Sequence, residues 1–307
     1  MPPDSPDPAA AALPRPAAWR ARLAGFGERR LPLLPLRRLR EPGPEAEVQA
    51  AVRALATALP MAGGTLLCRA LGRYKMLLDA GDAALAPHLA LDGFWKWWVT
   101  AFLARNIRPG ETVVDGGAAY GYFTLLAADL VGPTGRVVAV EPHPRLATLL
   151  PRNLRLNGFE GRTERHQAAL VGPGGAGRAL FAVPPDAPAG GRVVAEEAAG
   201  EATQEVPATT LDALLPGGAD LVRLDLNGGE EAAWAGMQGM LAARPGLRLL
   251  LGFDPARCRA PAAWLEALAR RFPLRRLDHD GIARPCEAAA LLAGGEATLY
   301  LAREAPR

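Results

Sequence analysis

Three carboxylates, Asp115, Glu141 and Asp225, each end a short apolar run in this 307-residue chain. Apolar runs of this length, separated by helical patterns, are typical of strands that are buried on both faces of a parallel sheet. In an open α/β sheet, ligands bind beyond the carboxyl ends of the strands, at the point where the strand order reverses. The sequence therefore predicts a ligand site with acidic groups at one edge of a sheet.

The first of these runs enters a glycine-rich corner, DGGAAYG, at residues 115–121. Gly117 and Gly121 are four residues apart, with Ala119 and Tyr120 between them. A dinucleotide site would have the spacing G-x-G-x-x-G, and a P-loop would continue into Gly-Lys-Ser/Thr. The spacing disfavours a nicotinamide oxidoreductase and excludes a P-loop. A structural glycine turn with two surface carboxylates is the alternative without a ligand.

The acidic groups favour a ligand with an ammonium group and a ribose but no phosphates. Asp115 would repel a pyrophosphate, whereas it can attract an ammonium group directly or through water. Glu141 follows Gly121 by 20 residues and can accept hydrogen bonds from both hydroxyls of a ribose. S-adenosyl-L-methionine combines these groups, so the sequence predicts it as the cofactor.

The surrounding patterns divide the chain into three parts. Residues 1–45 are rich in Pro, Ala and Arg and are expected to be disordered. Residues 46–91 contain a helical pattern and a hairpin around Gly72, which together predict an N-terminal cap. From residue 92 to 307, strands and helices alternate, as in an α/β domain with a largely parallel sheet. Asp92 is placed to cap a helix that runs from Phe94 to about Arg105.

Composition restricts the class of protein further. A formal net charge of +3 is too small to indicate a nucleic-acid partner. No apolar run approaches the ~20 residues of a transmembrane segment, and the N-terminus lacks the pattern of a signal peptide. Three widely spaced cysteines without a CxxC pair predict neither a disulfide framework nor a metal site. We therefore expect a cytoplasmic protein, and the strong preference for Arg over Lys indicates a bacterium.

Most of the α/β part resembles a known family. The segments IRPGETVVDGGAAYGYFTLLAADLVGPTGRVVAVEPHP, LPRNLRLNGFEGR, VPATTLDALL, ADLVRLDLNGGEEAAWAGM and RPGLRLLLGF are similar to those of FkbM-type methyltransferases, and the similarity covers residues 92–302. The resemblance implies a Rossmann-like methyltransferase fold with a seven-stranded, mostly parallel sheet, an antiparallel last strand and helices on both faces. It also implies methylation of a hydroxyl on a small-molecule or glycan acceptor, with S-adenosylmethionine as the cofactor.

The resemblance assigns roles to individual residues of this chain. Asp225 is implied to lie near the transferring methyl group and is the candidate catalytic base; the alternative role is to cap the following helix. The residues implied to bind the cofactor are the loop residues Asp115, Gly117, Ala119, Tyr120 and Gly121, the ribose-binding Glu141 with Pro142, either Gln167 or Ala168 near the adenine, and Asp225. No metal is implied.

The chain departs from the family pattern at several of these positions. Ala119 stands where Asn is common, and Asn227 and Gly252 stand where Glu is usual. Lys96 replaces the Glu of a GYWE motif, and His143 replaces an Asn. These changes support an alternative function, a catalytically impaired binding or scaffold protein on the same fold. Neither the acceptor nor the oligomeric state is predicted by the sequence.

Overall fold

An eight-stranded, mostly parallel sheet forms the centre of the computed structural model, which describes residues 33–41, 45–196 and 200–306. With strands numbered along the chain, the spatial order is β14 (Ala283–Pro285), β13 (Arg275–Leu277), β15 (Ala297–Leu301), β12 (Arg248–Phe253), β11 (Leu221–Leu224), β4 (Thr112–Gly116), β5 (Arg136–Val140) and β6 (Thr163–His166). The chain adds β5 and β6 on one side of β4 and β11 and β12 on the other, so the strand order reverses at β4; β15 is inserted between β12 and β13. The predicted Rossmann-like α/β fold is confirmed.

The sheet differs from the prediction in its number of strands. Strands β4, β5, β6, β11 and β12 are parallel, and β15, the last strand, is antiparallel to both neighbours as expected. The additional strand is β14, which forms a three-residue antiparallel hairpin with β13. Gly281, at a positive φ of 72°, allows the tight turn between these two strands.

Helices cover both faces of the sheet. Neighbouring residues of β4 show the alternation, because Val113 projects into one core cluster and Val114 into the other. The helices, numbered along the chain, are α1 (Arg37–Arg40), α2 (Glu45–Leu55), α3 (Trp97–Asn106), α4 (Tyr122–Val131), α5 (Pro144–Asn157), α6 (Leu211–Leu214), α7 (Glu230–Ala235), α8 (Gln238–Ala243), α9 (Pro261–Ala269) and α10 (Ala288–Ala293). Within the described residues, none of them is long and apolar enough to cross a membrane.

Two smaller sheets accompany the main one. The first is antiparallel and consists of β1 (Ala58–Met61), β2 (Thr65–Ala70) and β3 (Tyr74–Asp79); its β2–β3 hairpin is the one expected around Gly72. The second has the order β7 (Ala169–Leu170), β10 (Ala202–Thr209), β8 (Gly177–Val183) and β9 (Arg192–Val194). A short 3₁₀ turn, Pro188–Gly190, connects β8 to β9 and lies beside the cleft.

The helix that follows residue 92 begins later than predicted. Asp92 does not cap it, because Asp92 ends a π-helical turn, His88–Asp92, and pairs with Arg53 at 2.8 Å. Gly93 closes that turn with a positive φ of 75°, which redirects the chain before α3 starts at Trp97. Lys96 therefore lies outside the helix, with a positive φ of 39°.

The predicted disorder of residues 1–45 falls largely outside the described residues. Among residues 33–41, Leu34 and Leu39 are buried, and Arg40 donates a hydrogen bond to the carbonyl of Ala104. The proposed boundaries at residues 45 and 91 stay predictions.

Candidate cofactor and acceptor site

The three predicted carboxylates meet at the carboxyl edge of the main sheet. Strand β4 lies between β5 and β11, with Gly116 beside both Val140 and Leu224. Asp115 is in β4, Glu141 directly follows β5, and Asp225 directly follows β11. The order reversal therefore lies among these three residues, where an open α/β sheet binds its ligand.

The glycine corner after β4 is shaped by close backbone approach. Gly117 has a φ of 77°, and a Cβ at this position would collide with the carbonyl oxygen of Asp225. A Cβ on Gly121 would lie 2.5 Å from a methyl group of Leu150. Ala119 adopts a positive φ of 48°, a conformation that a non-glycine residue rarely takes. The corner thus keeps its shape because glycine occupies the two crowded positions.

Glu141 connects the end of β5 to this corner. Its Oε2 accepts a hydrogen bond from the N–H of Ala119 at 2.7 Å, and its Oε1 accepts one from the N–H of His143 at 2.8 Å. Burial raises the pKa of the Glu141 carboxyl to about 7, despite these two N–H groups. A carboxylate has about four lone-pair positions, so each oxygen can accept one more hydrogen bond.

Asp115 lies below the floor of the cleft and is only 1 % exposed. Its Oδ1 accepts a hydrogen bond from Arg223 at 2.7 Å, and its Oδ2 accepts one from the hydroxyl of Thr124 at 2.6 Å. Both oxygens are thus engaged by protein groups. The predicted contact of Asp115 with an ammonium group stays a prediction.

Asp225 is held between two cations. Arg223 lies 2.6 Å and Lys96 lies 3.1 Å from its Oδ2, and Lys96 also contacts Glu296 at 3.1 Å. Burial alone would raise the pKa of Asp225, but the charges of Lys96 and Arg223 outweigh it and leave the pKa below its usual value. Asp225 is therefore ionised at neutral pH, as part of an ion network.

Arg223 is a member of the site that the sequence did not reveal. Its guanidinium joins Asp115 to Asp225 and lies 4.1 Å from the centre of the Phe123 ring, in a cation–π contact. The available signal was an arginine within the otherwise apolar run LVRLDL. Lys96 was noticed as a family departure, but its partner Asp225 is 129 residues away in the chain.

Asn227 and Gly252, which depart from the family pattern, each have a neighbour that accounts for the residue present. The amide of Asn227 donates to the carbonyl oxygens of Ala189 at 3.2 Å and Gly191 at 3.1 Å, which ties the Pro188–Gly190 turn to the cleft. A carboxylate at this position could not donate either bond. The space beside Gly252 is filled by Glu230, whose Oε1 would lie 3.2 Å from an added Cβ.

Two cavities flank Gly117, Asp225 and Asn227. The first, of about 490 Å³, has Glu141, Pro142, Ala168 and Phe181 among its lining residues. Ala168 is thus on this cavity, whereas Gln167 is exposed and is not among the lining residues.

The second cavity, of about 770 Å³, lies on the other side of the glycine corner. It is lined by Ala119 and Tyr120 and by Lys96 and Arg223 of the ion network. Both volumes include the open solvent at the cavity mouths.

Comparison with known proteins finds a family that matches the part of the chain around the glycine corner. Residues 115–250 match the family model described as "Methyltransferase FkbM domain". The chain is 38% identical over 141 residues to a protein-L-isoaspartate O-methyltransferase of Methanopyrus kandleri, covering 46% of this chain and 53% of that protein. It is 46% identical over 70 residues to the enzyme of the same name from Aeropyrum pernix, covering 23% and 25%. The chain thus spans about half the length of the first relative and a quarter of the second.

Among solved structures, the methyltransferase FkbM of Methylobacillus flagellatus is 16% identical, covers 70% of this chain and 52% of that chain, and has a TM-score of 0.39. S-adenosylmethionine, the cofactor predicted from the sequence, agrees with the methyltransferase family match. The family match also covers the glycine corner, Glu141 and Asp225. Residues 115–250 therefore match a methyltransferase FkbM domain, which confirms the resemblance expected from the sequence.

Proposed function

We propose that this chain is an S-adenosylmethionine-dependent O-methyltransferase that acts on a hydroxyl of a small-molecule or glycan acceptor. The observation that supports it most strongly is the linkage between the glycine corner and Glu141, because the buried carboxylate accepts the N–H of Ala119 directly beside the first cavity. This arrangement brings a hydroxyl-binding carboxylate and a close backbone approach to the same point.

The residues present fit this cofactor on two counts. Gly117 lines both cavities without a side chain, where a Cβ would collide with the carbonyl of Asp225, and the carboxylate of Glu141 keeps acceptor positions for two hydroxyls. In the proposal, Glu141, Pro142 and Ala168 would hold the adenosine part, and residues 117–120 would line the passage toward the second cavity. The cofactor supplies an activated methyl group on a sulfonium.

The chain itself contributes mainly binding and alignment to such a reaction. In-line displacement depends on holding the two reactants at the correct distance and angle. Asp225 lines both cavities and is fixed by Arg223 and Lys96, so it marks the point at which the two ligands would meet. The bacterial and cytoplasmic setting expected from the sequence remains part of this proposal.

Calorimetric titration with S-adenosylmethionine tests the proposal. We expect a dissociation constant in the micromolar range, and roughly tenfold weaker binding for Glu141→Gln, since a hydrogen bond to a charged group is about twice as strong as a neutral one. Glu164→Gln is the matched control, because Glu164 lies on the neighbouring strand and pairs with Arg136 away from both cavities. No binding at millimolar cofactor would contradict the proposed function.

One observation favours a second function, a binding or scaffold protein without turnover. Asp225, the candidate base, is engaged by Lys96 and Arg223 and has a lowered pKa. This alternative predicts that the cofactor binds but that no methyl group leaves it across a broad panel of acceptors. Detection of any methylated acceptor by mass spectrometry would exclude it.

A further inference from the structure

Lys96, a cation that lines the second cavity, has one exposed partner, Glu296, in the ion network. Asp115, Arg223, Asp225 and Lys96 form a chain of alternating charges that balances two against two. Glu296 is the fifth member, and its side chain is 66 % exposed, whereas that of Lys96 is 17 % exposed. An exposed ion pair contributes little, so Glu296 can leave Lys96 at low cost.

The backbone of Lys96 indicates that its position is functional. Lys96, Ala119 and Asn227 are among the non-glycine residues with positive φ in the described chain, and all three line the second cavity. Strained backbone of this kind clusters at ligand sites. Lys96 is thus one of three residues with positive φ around the second cavity.

The described residues of the two cavities offer no free base for an acceptor proton. Asp225 is ionised but bound to two cations, and its lowered pKa lies far from the neutral pH at which a general base works best. The Tyr120 hydroxyl donates to Asp82, and the Tyr122 hydroxyl pairs with Thr100. Glu141 lines the first cavity, not the second, and under the proposed function it binds the ribose of the cofactor.

The rest of the second cavity is apolar and partly aromatic. The side chains in its wall that cannot form strong hydrogen bonds are those of Ala84, Leu85, Ala118, Ala119, Phe123 and Ala189. Trp95 adds a half-buried indole that packs on His88. Such a wall suits a flat apolar ring rather than a sugar, whose many hydroxyls need polar partners.

We infer that the acceptor is a phenol bound as its phenolate, and that Lys96 holds the anionic oxygen in place of Glu296. This inference rests on the proposed function and narrows it to ring-bearing acceptors with an acidic hydroxyl. Lys96 is then a specificity-determining residue. A phenol is the suitable class because its hydroxyl, with a pKa near ~10 as in tyrosine, ionises when a cation lies close by.

An ionised acceptor also removes the need for a base in the site, because the phenol releases its proton to the solvent when it binds as the phenolate. Its oxygen forms a bond to the methyl carbon while the carbon–sulfur bond breaks and its electron pair remains on sulfur. The acceptor loses its negative charge and the sulfonium loses its positive charge, so no proton has to be transferred. The neutral methyl ether no longer attracts Lys96, and Glu296 can return.

Binding of 4-nitrophenol, in the presence of S-adenosylhomocysteine, tests the inference without turnover. The visible absorbance of the nitrophenolate anion reports its ionisation in the site. We expect the bound phenol to ionise about one pH unit lower than in water, which corresponds to tenfold tighter binding of the anion. Lys96→Met should abolish this shift, Lys96→Arg should retain most of it, and Glu296→Gln should increase the affinity.

The controls separate charge from folding. Lys75→Met changes the other lysine of the chain, which is exposed on β3, and should leave the shift unchanged. Glu296→Gln alters an exposed residue, so it tests the exchange even if Lys96→Met does not fold. The charged groups around Lys96, namely Asp225, Arg223 and Glu296, stay unchanged in the Lys75 control.

Three results would overturn the inference. The first is that 4-nitrophenol binds in its neutral form or does not bind. The second is that the pH at which the bound phenol ionises is the same in Lys96→Met as in the wild type. The third is that benzoate or benzyl alcohol binds the site more tightly than the nitrophenolate does. Benzoate would indicate a carboxylate acceptor and benzyl alcohol an uncharged one. Because S-adenosylhomocysteine binding is measured separately by calorimetry, loss of cofactor binding would instead refute the proposed function.

Discussion

The guanidinium of Arg223 bridges Asp115 and Asp225, at 2.7 Å and 2.6 Å, and so joins two neighbouring strand ends below the cleft. Both Arg223 and Asp115 are almost fully buried. A buried ion pair is weak evidence of stabilisation in itself, but removal of one partner leaves the other charge uncompensated. The bridge therefore makes the cleft floor sensitive to loss of the arginine.

Arg223→Met is expected to lower the free energy of unfolding by about 3–5 kcal/mol, because Asp115 would remain buried without its counter-charge. Urea denaturation followed by circular dichroism measures this change. Arg136→Met removes a comparable cation from an exposed pair with Glu164 and should cost about 1 kcal/mol or less. Equal losses in the two variants would contradict the role given to Arg223.

Gly117→Ala is expected to abolish cofactor binding and to lower stability by about 2–4 kcal/mol, because the new Cβ meets the carbonyl oxygen of Asp225 as well as an unfavourable φ. Gly132→Ala is the matched control: its φ is also positive, at 69°, but no atom lies within 4 Å of the added Cβ. Calorimetry and thermal unfolding of both variants check the prediction. Normal cofactor binding by Gly117→Ala would contradict the role given to Gly117 in the cofactor site.

Asn227→Asp is expected to release the Pro188–Gly190 turn, because a carboxylate cannot donate to the carbonyl oxygens of Ala189 and Gly191. Aspartate tolerates positive φ nearly as well as asparagine, so this substitution removes the amide donor without adding backbone strain. Faster hydrogen exchange of the amides of residues 189–191 would report the release.

The matched control for this turn is Asn157→Asp, which replaces an amide that bonds the carbonyls of Lys75 and Asn153. It should leave exchange in residues 189–191 unchanged. Hydrogen exchange in residues 189–191 that is as slow in Asn227→Asp as in the wild type would show that the Asn227 amide does not hold the turn.

The raised pKa of Glu141 predicts how the free energy of unfolding changes with pH. Burial raises its pKa from 4.5 to about 7, so the unfolded chain loses this proton first as the pH rises. The free energy of unfolding is therefore expected to fall between pH ~4.5 and ~7 by an amount on the order of 3 kcal/mol, and this fall should vanish in Glu141→Gln.

Glu164 is the control for this pH dependence. Its bond with Arg136 lowers its pKa, so the stability difference between the wild type and Glu164→Gln should increase with pH. Denaturation curves at several pH values measure both differences. A difference between the wild type and Glu141→Gln that does not change with pH would contradict the assignment.

The positions of residues at the ends of regular patterns could be predicted from the sequence. Asp225 and Glu141 end apolar runs, and the glycine spacing marks the corner, so local periodicity was sufficient for them. The antiparallel last strand followed from the family resemblance. The ends of apolar runs and the glycine spacing, in contrast, depend only on neighbouring residues in the chain, which is what a local pattern records.

Residues whose partners are distant in sequence could not be predicted in this way. Arg223 gave only the signal of a charge in an apolar strand, and its contact with Asp115 spans 108 residues. The late start of α3 depends on the turn at Gly93, whereas Asp92 looked like a suitable cap. Asn153 of α5 bonds the backbone of both Leu77 and Tyr120, which no helical pattern reveals.

The most direct test of the account is transfer of an isotopically labelled methyl group from S-adenosylmethionine to matched acceptors, read by mass spectrometry. The acceptors are a simple phenol, the corresponding benzyl alcohol and a glucoside. The account predicts labelled methyl ether on the phenol, at a rate that falls at least tenfold in Lys96→Met and is unchanged in Lys75→Met. A protein that binds the cofactor but leaves its methyl group in place with all three acceptors would contradict the account.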